Sequence, residues 1–281
     1  MTSIRTCFAC LFSLSTVAAV ASAADAPPPT PALTTTANVN IVSDYRFRGI
    51  DQTWGRPAVQ GGADAVWASG LYAGTWLSNV SGNSYPGGSL EIDLYGGYNG
   101  KIGDDAGFTV GGYGYVYPGA NFNRSACPSA AYTSPCTLPD QTLNTFEVNA
   151  GVNWKWVNYK LSVALTDYFG ANAGTGYTGH TSGTMYHDLT LTFPLADDLS
   201  LAAHVGRTDV RGHYGALDPD YTDYRATLTK TFKDGWNIAA TVAGANNNAL
   251  FRAPTGGLSF ANGDTRSLNK AAFILQAGRT F

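Results

Sequence analysis

A two-residue alternation of polar and apolar side chains runs through the chain from residue 37 to the C-terminus. It is clearest in SLEIDLYGGY (89–98) and FEVNAGVNW (146–154), where every second residue is apolar. Successive side chains of a strand point to opposite faces, so this period predicts strands and an all-β fold. Twelve strands are predicted, at 37–49, 57–67, 71–80, 89–100, 108–117, 142–156, 159–169, 183–195, 199–209, 221–232, 236–246 and 268–281.

The lengths of these segments and of their connections indicate a membrane barrel. Most segments run roughly 10–14 residues, which suits a tilted membrane strand better than a soluble strand of about five or six. Short connections, such as 68–70 and 196–198, alternate with longer ones, such as 118–141 and 247–267. This alternation is typical of an antiparallel up-and-down transmembrane β-barrel, which must close because lipid offers no partners to an open edge. A soluble periplasmic β-sandwich is the alternative.

The composition agrees with a barrel in lipid. Charged residues make up 13% of the chain, about half of the usual share, whereas aromatic residues reach 12%. Aromatic side chains near strand ends predict two interfacial girdles. The girdle beside the short turns comprises Trp67, Tyr98, Trp154, Trp156, Tyr159, Phe232 and Trp236, and the one near the long loops comprises Tyr45, Trp76, Tyr117 and Tyr168.

The N-terminus has the features of an export signal. Arg5 precedes the apolar run CFACLFSLSTVAAVA, and ASA at 21–23 is a small-residue cleavage site. We expect a signal peptide at 1–23, a Pro/Thr-rich periplasmic linker at 24–36 and an outer-membrane β-barrel at 37–281. Cys127 and Cys136, in CPSAAYTSPC, are expected to form a disulfide in the exported chain.

Three stretches resemble the TorF-type putative porins of Gram-negative bacteria. They are SDYRFRGI, PAVQGG and GLYAGTWLSNV within 38–80, and LEIDLYGGYNG (90–100) and YTDYRATLTKTF (221–232) are similar to later segments of that family. The resemblance implies a porin-like barrel in the cell outer membrane and transfers no catalytic residues. The terminal Phe281, on an alternating strand, looks like the signal that hands such barrels to the barrel assembly machinery; Arg279 departs from that pattern, because its position is usually apolar.

If lipid surrounds the barrel, the polar strand face lines its lumen. Tyr45 and Phe47 are then expected to face lipid, and Arg48 is the residue that we expect passing solutes to meet. The interior is either a narrow conducting pore that sorts solutes by charge and size, or a structural interior filled by paired opposite charges. The pore-lining candidates are Asp44, Arg46, Arg48, Asp64, Glu91, Asp93, Glu147, Lys160, Asp188, Asp223 and Arg225.

These features favour a passive channel for small hydrophilic solutes or ions in contact with outer-membrane lipid. A non-conducting structural or adhesive barrel is the alternative, followed by an outer-membrane enzyme. His180 and Ser182 lie two residues apart in a Gly/Thr-rich loop, which is weak support for catalysis. We expect no catalytic residues, cofactor or metal, and no binding of nucleic acid, since the chain has no basic patch. The oligomeric state stays open.

Overall fold

The computed structural model describes residues 32–125, 138–253 and 264–281, which form a closed barrel of twelve antiparallel strands. In chain order the fourteen strands in these residues are β1 (Leu33–Val42), β2 (Arg46–Phe47), β3 (Ile50–Asp51), β4 (Ala58–Trp67), β5 (Leu71–Asn79), β6 (Leu90–Ile102), β7 (Ala106–Val116), β8 (Thr145–Trp154), β9 (Val157–Ala164), β10 (Met185–Ala196), β11 (Leu199–Asp209), β12 (Tyr221–Thr231), β13 (Trp236–Ala245) and β14 (Ala272–Thr280). The two short strands, β2 and β3, form a separate hairpin outside the barrel sheet.

Helical structure in the described residues is limited to short turns. One α-helical turn covers Asn248–Phe251, and 3₁₀ turns cover Phe122–Arg124, Tyr168–Gly170, Ala173–Thr175 and Lys233–Gly235. Within the described part of the chain, no helix is long and apolar enough to cross a membrane.

The barrel closes through its first strand. β1 pairs with β4 from Leu33 opposite Trp67 to Val42 opposite Ala58, and it pairs with β14 on its other side. From β4 onward, each strand pairs with the next along the chain. Every barrel strand therefore has two neighbours, which leaves no edge with unpaired backbone groups. The predicted fold class and the strand count are confirmed.

The predicted boundaries are wrong at the start of the barrel. β1 begins at Leu33, so residues 33–36 belong to a strand and not to the predicted linker. The same strand ends at Val42, although the alternation predicted strand as far as residue 49. The predicted signal peptide at 1–23, the remainder of the linker before residue 32, and Cys127 and Cys136 with their predicted disulfide lie outside the described residues.

The outward face of the barrel is apolar and exposed. Ile41, Leu94, Val152 and Phe273 are each more than half exposed, while the strand neighbours of the first three include the inward-facing polar residues Asn40, Asp93 and Asn153. Monomeric soluble proteins seldom expose a continuous apolar surface of this kind, and a lipid environment would cover it.

The aromatic girdle beside the short turns is present. Trp67, Trp154 and Trp236 face outward there, each at least 40% exposed. The guanidinium of Arg279 lies over the ring of Trp236 at 5.4 Å and over that of Phe281 at 4.8 Å. These contacts explain how an arginine occupies an outward position at the end of β14, because its stem covers aromatic surface while its charge lies near the turns.

The second predicted girdle is wrong. Tyr45, Trp76, Tyr117 and Tyr168 all face the interior, and Trp76 packs against Tyr45 with ring centroids 5.3 Å apart. Tyr45 is inside because it belongs to a segment of the first long loop that enters the lumen. Trp76 and Tyr168 contact that segment from the inner side of the barrel.

Candidate functional site: the plugged lumen

Residues 43–57 connect β1 to β4 and fold into the end of the barrel that carries the long loops. We call this segment the plug. Its centre is the two-residue hairpin of β2 and β3, in which Arg46 pairs with Asp51 and Phe47 with Ile50. The turn places both Arg48 (φ 46°) and Gly49 (φ 77°) in the left-handed region. Glycine adopts this conformation without the steric cost that other residues incur, so Gly49 allows the chain to reverse inside the lumen.

The turn of the plug lies directly against the barrel wall at β12 and β13. A Cβ atom on Gly49 would lie 2.6 Å from the carbonyl oxygen of Gly244 on β13 and 2.7 Å from the Cβ of Asp223 on β12. Only glycine therefore fits between the turn and that wall in this arrangement.

Arg48 lies in a cage formed by two wall strands, β8 and β10, and the 3₁₀ turn at Tyr168. Its Nη1 and Nη2 donate to the two carboxylate oxygens of Glu147, at 2.9 and 2.7 Å, and Nη1 also donates to the Tyr168 hydroxyl at 3.0 Å. The ring of Tyr186 lies under the guanidinium, with its centroid 4.0 Å from Cζ. The side chains of Arg48 and Glu147 are only 5% and 3% exposed. This is a bidentate, buried ion pair with a cation–π contact, a strong form of arginine recognition.

A second arginine ties the plug to the segment before β14. Arg46 donates to the Asp44 carboxylate at 2.7 Å and to the carbonyl oxygen of Leu268 at 2.5 Å. Asp51, on the returning strand, accepts from Arg266 at 2.9 Å. Beside these pairs, a cavity of about 290 Å³ opens at the mouth, lined in part by Asp44, Arg46 and Arg266.

The wall opposite these arginines carries tyrosines bonded to carboxylates. Tyr113 donates to Asp93 at 2.8 Å, and Tyr117 donates to Glu91 at 2.9 Å. Glu91 and Asp93 are no more than 2% exposed. Phe47 of the plug packs edge-on against the neighbouring Tyr115, at 5.4 Å between centroids. The plug therefore covers a polar and aromatic wall at the long-loop end of the lumen.

Nearer the short turns, the lumen contains a histidine between two carboxylates. His204 Nε2 lies 2.9 Å from Asp223 and Nδ1 lies 3.2 Å from Asp188, so each ring nitrogen has a carboxylate within hydrogen-bonding distance. Arg225 is paired in register with His204 and is exposed, although its strand position faces inward. Part of the lumen below the plug is therefore open to solvent.

Eight of the eleven predicted pore-lining residues lie on the strands of the barrel wall. Asp64, Glu91, Asp93, Glu147, Lys160, Asp188, Asp223 and Arg225 lie on inward-facing strand positions, as the alternation predicts, and Tyr95 also bonds Asp64 at 2.6 Å. Their role as lining of a conducting pore stays a prediction.

The expected ladder of Asp44, Arg46 and Arg48 on the wall of the first strand is wrong. All three lie on the plug, because the chain leaves the barrel wall after Val42. Tyr45 and Phe47, expected to face lipid, are inside for the same reason: Tyr45 is 8% exposed and packs on Trp76. The sequence contained one signal of this turn, the Gly49 that follows an arginine within a charged stretch.

Of the residues that hold Arg48, only Glu147 was a predicted lumen residue. Tyr168 was assigned to the outer girdle and Tyr186 was not a candidate, because alternation does not show which side chains an inward-folded loop contacts. Gln52 was missed too; its side-chain oxygen accepts from Tyr85, and its backbone oxygen accepts from Ser81 at 2.9 Å.

Several solved membrane channels have a similar barrel at low sequence identity. The NanC porin gives a TM-score of 0.50 at 10% identity, covering 88% of this chain and 99% of that chain. The KdgM porin in complex with disordered oligogalacturonate gives 0.49 at 6% identity, covering 88% and 98%. The COG4313 outer membrane channel from Pseudomonas putida F1 gives 0.48 at 15% identity, covering 92% and 100%. At these identities the likeness concerns the fold alone.

No curated protein matches the chain by sequence. The TorF-type name remains a resemblance, since the matching family model does not carry it. That model is described as a bacterial protein of unknown function, Gcw_chp, and it matches residues 25–281, so the chain belongs to this family.

Proposed function

We propose that the protein is an outer-membrane channel for the diffusion of small hydrophilic solutes or ions, closed at its outer mouth by the plug. The proposed orientation in the membrane places the short turns in the periplasm and the long loops outside the cell, as in other outer-membrane barrels. The apolar outward face contacts outer-membrane lipid, and the passage runs through the polar interior.

The observation that carries this proposal is that one loop folds into the long-loop end of a lumen lined by polar and aromatic side chains. The plug is held largely by ion pairs and hydrogen bonds, such as those of Arg48 with Glu147 and of Arg46 with Leu268. Below it the inward side chains remain polar, and Arg225 is exposed to solvent. Displacement of the plug, together with the Phe169 side chain that packs on its Phe47, would widen the passage without any change in the barrel strands.

A pair of glycine variants tests the proposal in planar bilayers. Gly49→Ala adds a Cβ that cannot fit beside Gly244, so it should move the plug and raise the open probability or the conductance of refolded protein. Gly103→Ala is the matched control, because Gly103 also has a positive φ, 67°, but nothing lies within 4 Å of its Cβ position. Equal conductance of the two folded variants would contradict the gating role of the plug.

A non-conducting structural or adhesive barrel is the second candidate, and the depth of the Arg48–Glu147 ion pair favours it. Buried pairs of this kind fill and fix an interior. Absence of channel events in every correctly folded variant, Gly49→Ala included, would select this candidate over the channel.

We propose no enzymatic role for the chain. The imidazole Nδ1 of His180 lies 3.1 Å from both carboxylate oxygens of Asp167, and the histidine side chain is 83% exposed in an outer loop. This contact ties two loop residues together, and it supports a loop-ordering role better than nucleophile activation.

A further inference from the structure

We infer that the cage around Arg48 is a binding site for solutes that carry a guanidinium group, and that Arg48 is a tethered competitor for it. This inference deepens the proposed channel function and rests on it. The cage consists of Glu147, Tyr168 and Tyr186, which contact Arg48 through a carboxylate, a hydroxyl and a ring face.

The chemistry of the cage is selective for a planar cation. Both carboxylate oxygens of Glu147 accept from separate guanidinium nitrogens, and the Tyr186 ring lies 4.0 Å from Cζ. A fork of parallel N–H donors satisfies this geometry, whereas a compact ammonium group matches the fork and the ring face less well.

The cage and its occupant belong to different parts of the fold. Glu147 lies on β8 and Tyr186 on β10, both in the barrel wall, while Arg48 comes from the plug. When the plug leaves the lumen, the wall residues stay and Glu147 loses its cation. The vacated carboxylate and the Tyr186 ring then face an open lumen, where a soluble cation of the same shape can make the two hydrogen bonds and the ring contact that Arg48 made.

The rest of the wall at this height is acidic as well. Glu91, Asp93 and Asp223 face inward there, and within the described residues the second carboxylate oxygens of Asp93 and Asp223 have no hydrogen-bond partner. The wall cations lie closer to the short turns. On β12, Arg225 follows Asp223 by two residues, and on β9, Lys160 precedes Ala164, the strand partner of Glu147, by four residues; both steps lead toward the short turns. The wall around Glu147 in an opened lumen therefore attracts cations, whereas the basic residues Arg266 and Lys270 lie at the mouth beside the cavity.

Binding to refolded protein in detergent micelles tests this inference without any need for conduction. The probes are agmatine, which has a guanidinium and an ammonium group, and cadaverine, a diamine of equal charge, both measured by calorimetry. Arg48→Ala should bind agmatine roughly tenfold more tightly than cadaverine, and roughly tenfold more tightly than wild type does. Arg48→Ala/Glu147→Gln, with the same vacated space, should lose the preference.

Equal binding of the two probes to folded Arg48→Ala, or unchanged agmatine binding after Glu147→Gln, would overturn the inference. If Arg48→Ala does not refold, Arg48→Lys decides, because it keeps a cation beside Glu147 but loses the fork. Agmatine should bind that variant more tightly than wild type, and equal binding would again refute the site. A protein that binds agmatine but never conducts would refute the channel and leave the site standing.

Discussion

Neutralising one or both members of the buried Arg48–Glu147 pair should give stabilities in an unusual order. Arg48→Met removes the guanidinium but fills much of its volume, and it leaves the Glu147 carboxylate, 3% exposed, without its cation. Removing one partner of a buried pair costs about 3–5 kcal/mol, mostly because the remaining charge is desolvated.

Glu147→Gln should cost less, about 2 kcal/mol, because the guanidinium keeps the Tyr168 hydroxyl and the Tyr186 ring. In Arg48→Met/Glu147→Gln no charge is stranded. We therefore expect the double variant to be at least about 1 kcal/mol more stable than Arg48→Met alone, although it carries one more substitution.

Equilibrium urea unfolding of the barrel in lipid vesicles measures these differences, provided that folding is reversible and the m-values agree among variants. Heat-modifiable gel migration confirms that each variant is folded before it is compared. A double variant less stable than Arg48→Met would show that Glu147 is solvated or paired elsewhere, and the cage described here would be refuted.

Two further predictions concern the barrel surface and an outer loop. Val148→Lys, on the outward face of β8, should destabilise the barrel by roughly 2–4 kcal/mol in vesicles, whereas Asn149→Lys, on its inward face, should mainly change ion selectivity; equal losses would contradict the assignment of faces. The pKa of Asp167 is held below its ordinary value: burial opposes this shift, but hydrogen bonds from His180, Asn172 and the Thr181 N–H outweigh it. The contribution of Asp167 to loop stability is therefore present above the unfolded pKa and lost as pH falls through the folded one. Loop proteolysis should increase on acidification in this range, and a loop that responds identically in Asp167→Asn would refute that role.

The sequence was sufficient for the barrel because lipid imposes simple rules on every strand. Alternation alone placed Glu91, Asp93, Glu147 and Asp223 on inward positions, and each of them faces the interior. A shift of one residue would have exchanged the two faces, so strands with one polar face carry a strong register signal.

The plug could not be predicted in the same way, because alternation persists after the chain has left the wall. The alternation breaks at Val42 and Ser43 but resumes in the same phase from Asp44 through Arg48, and nothing in that renewed alternation distinguishes a wall strand from a strand folded inward. The difference depends on positive φ at Arg48 and Gly49, and on partners that are distant in sequence, such as Tyr186. Composition reports none of these tertiary contacts.

The alternation in the plug nevertheless has a physical purpose. One face carries Asp44 and Arg46 and meets the segment before β14, whereas the other carries Tyr45 and Phe47 and packs on aromatic wall residues. A hairpin inside a lumen has protein on both sides, so it needs two different complementary surfaces where a wall strand needs one. The aromatic face provides attachment that salt does not screen. Where the charged pairs are exposed to solvent, as at Arg266, which is 41% exposed, salt does screen them. Ionic strength at the outer mouth should therefore loosen the connection to the segment before β14 before it affects the buried Arg48 cage, and the plug should detach from that side first.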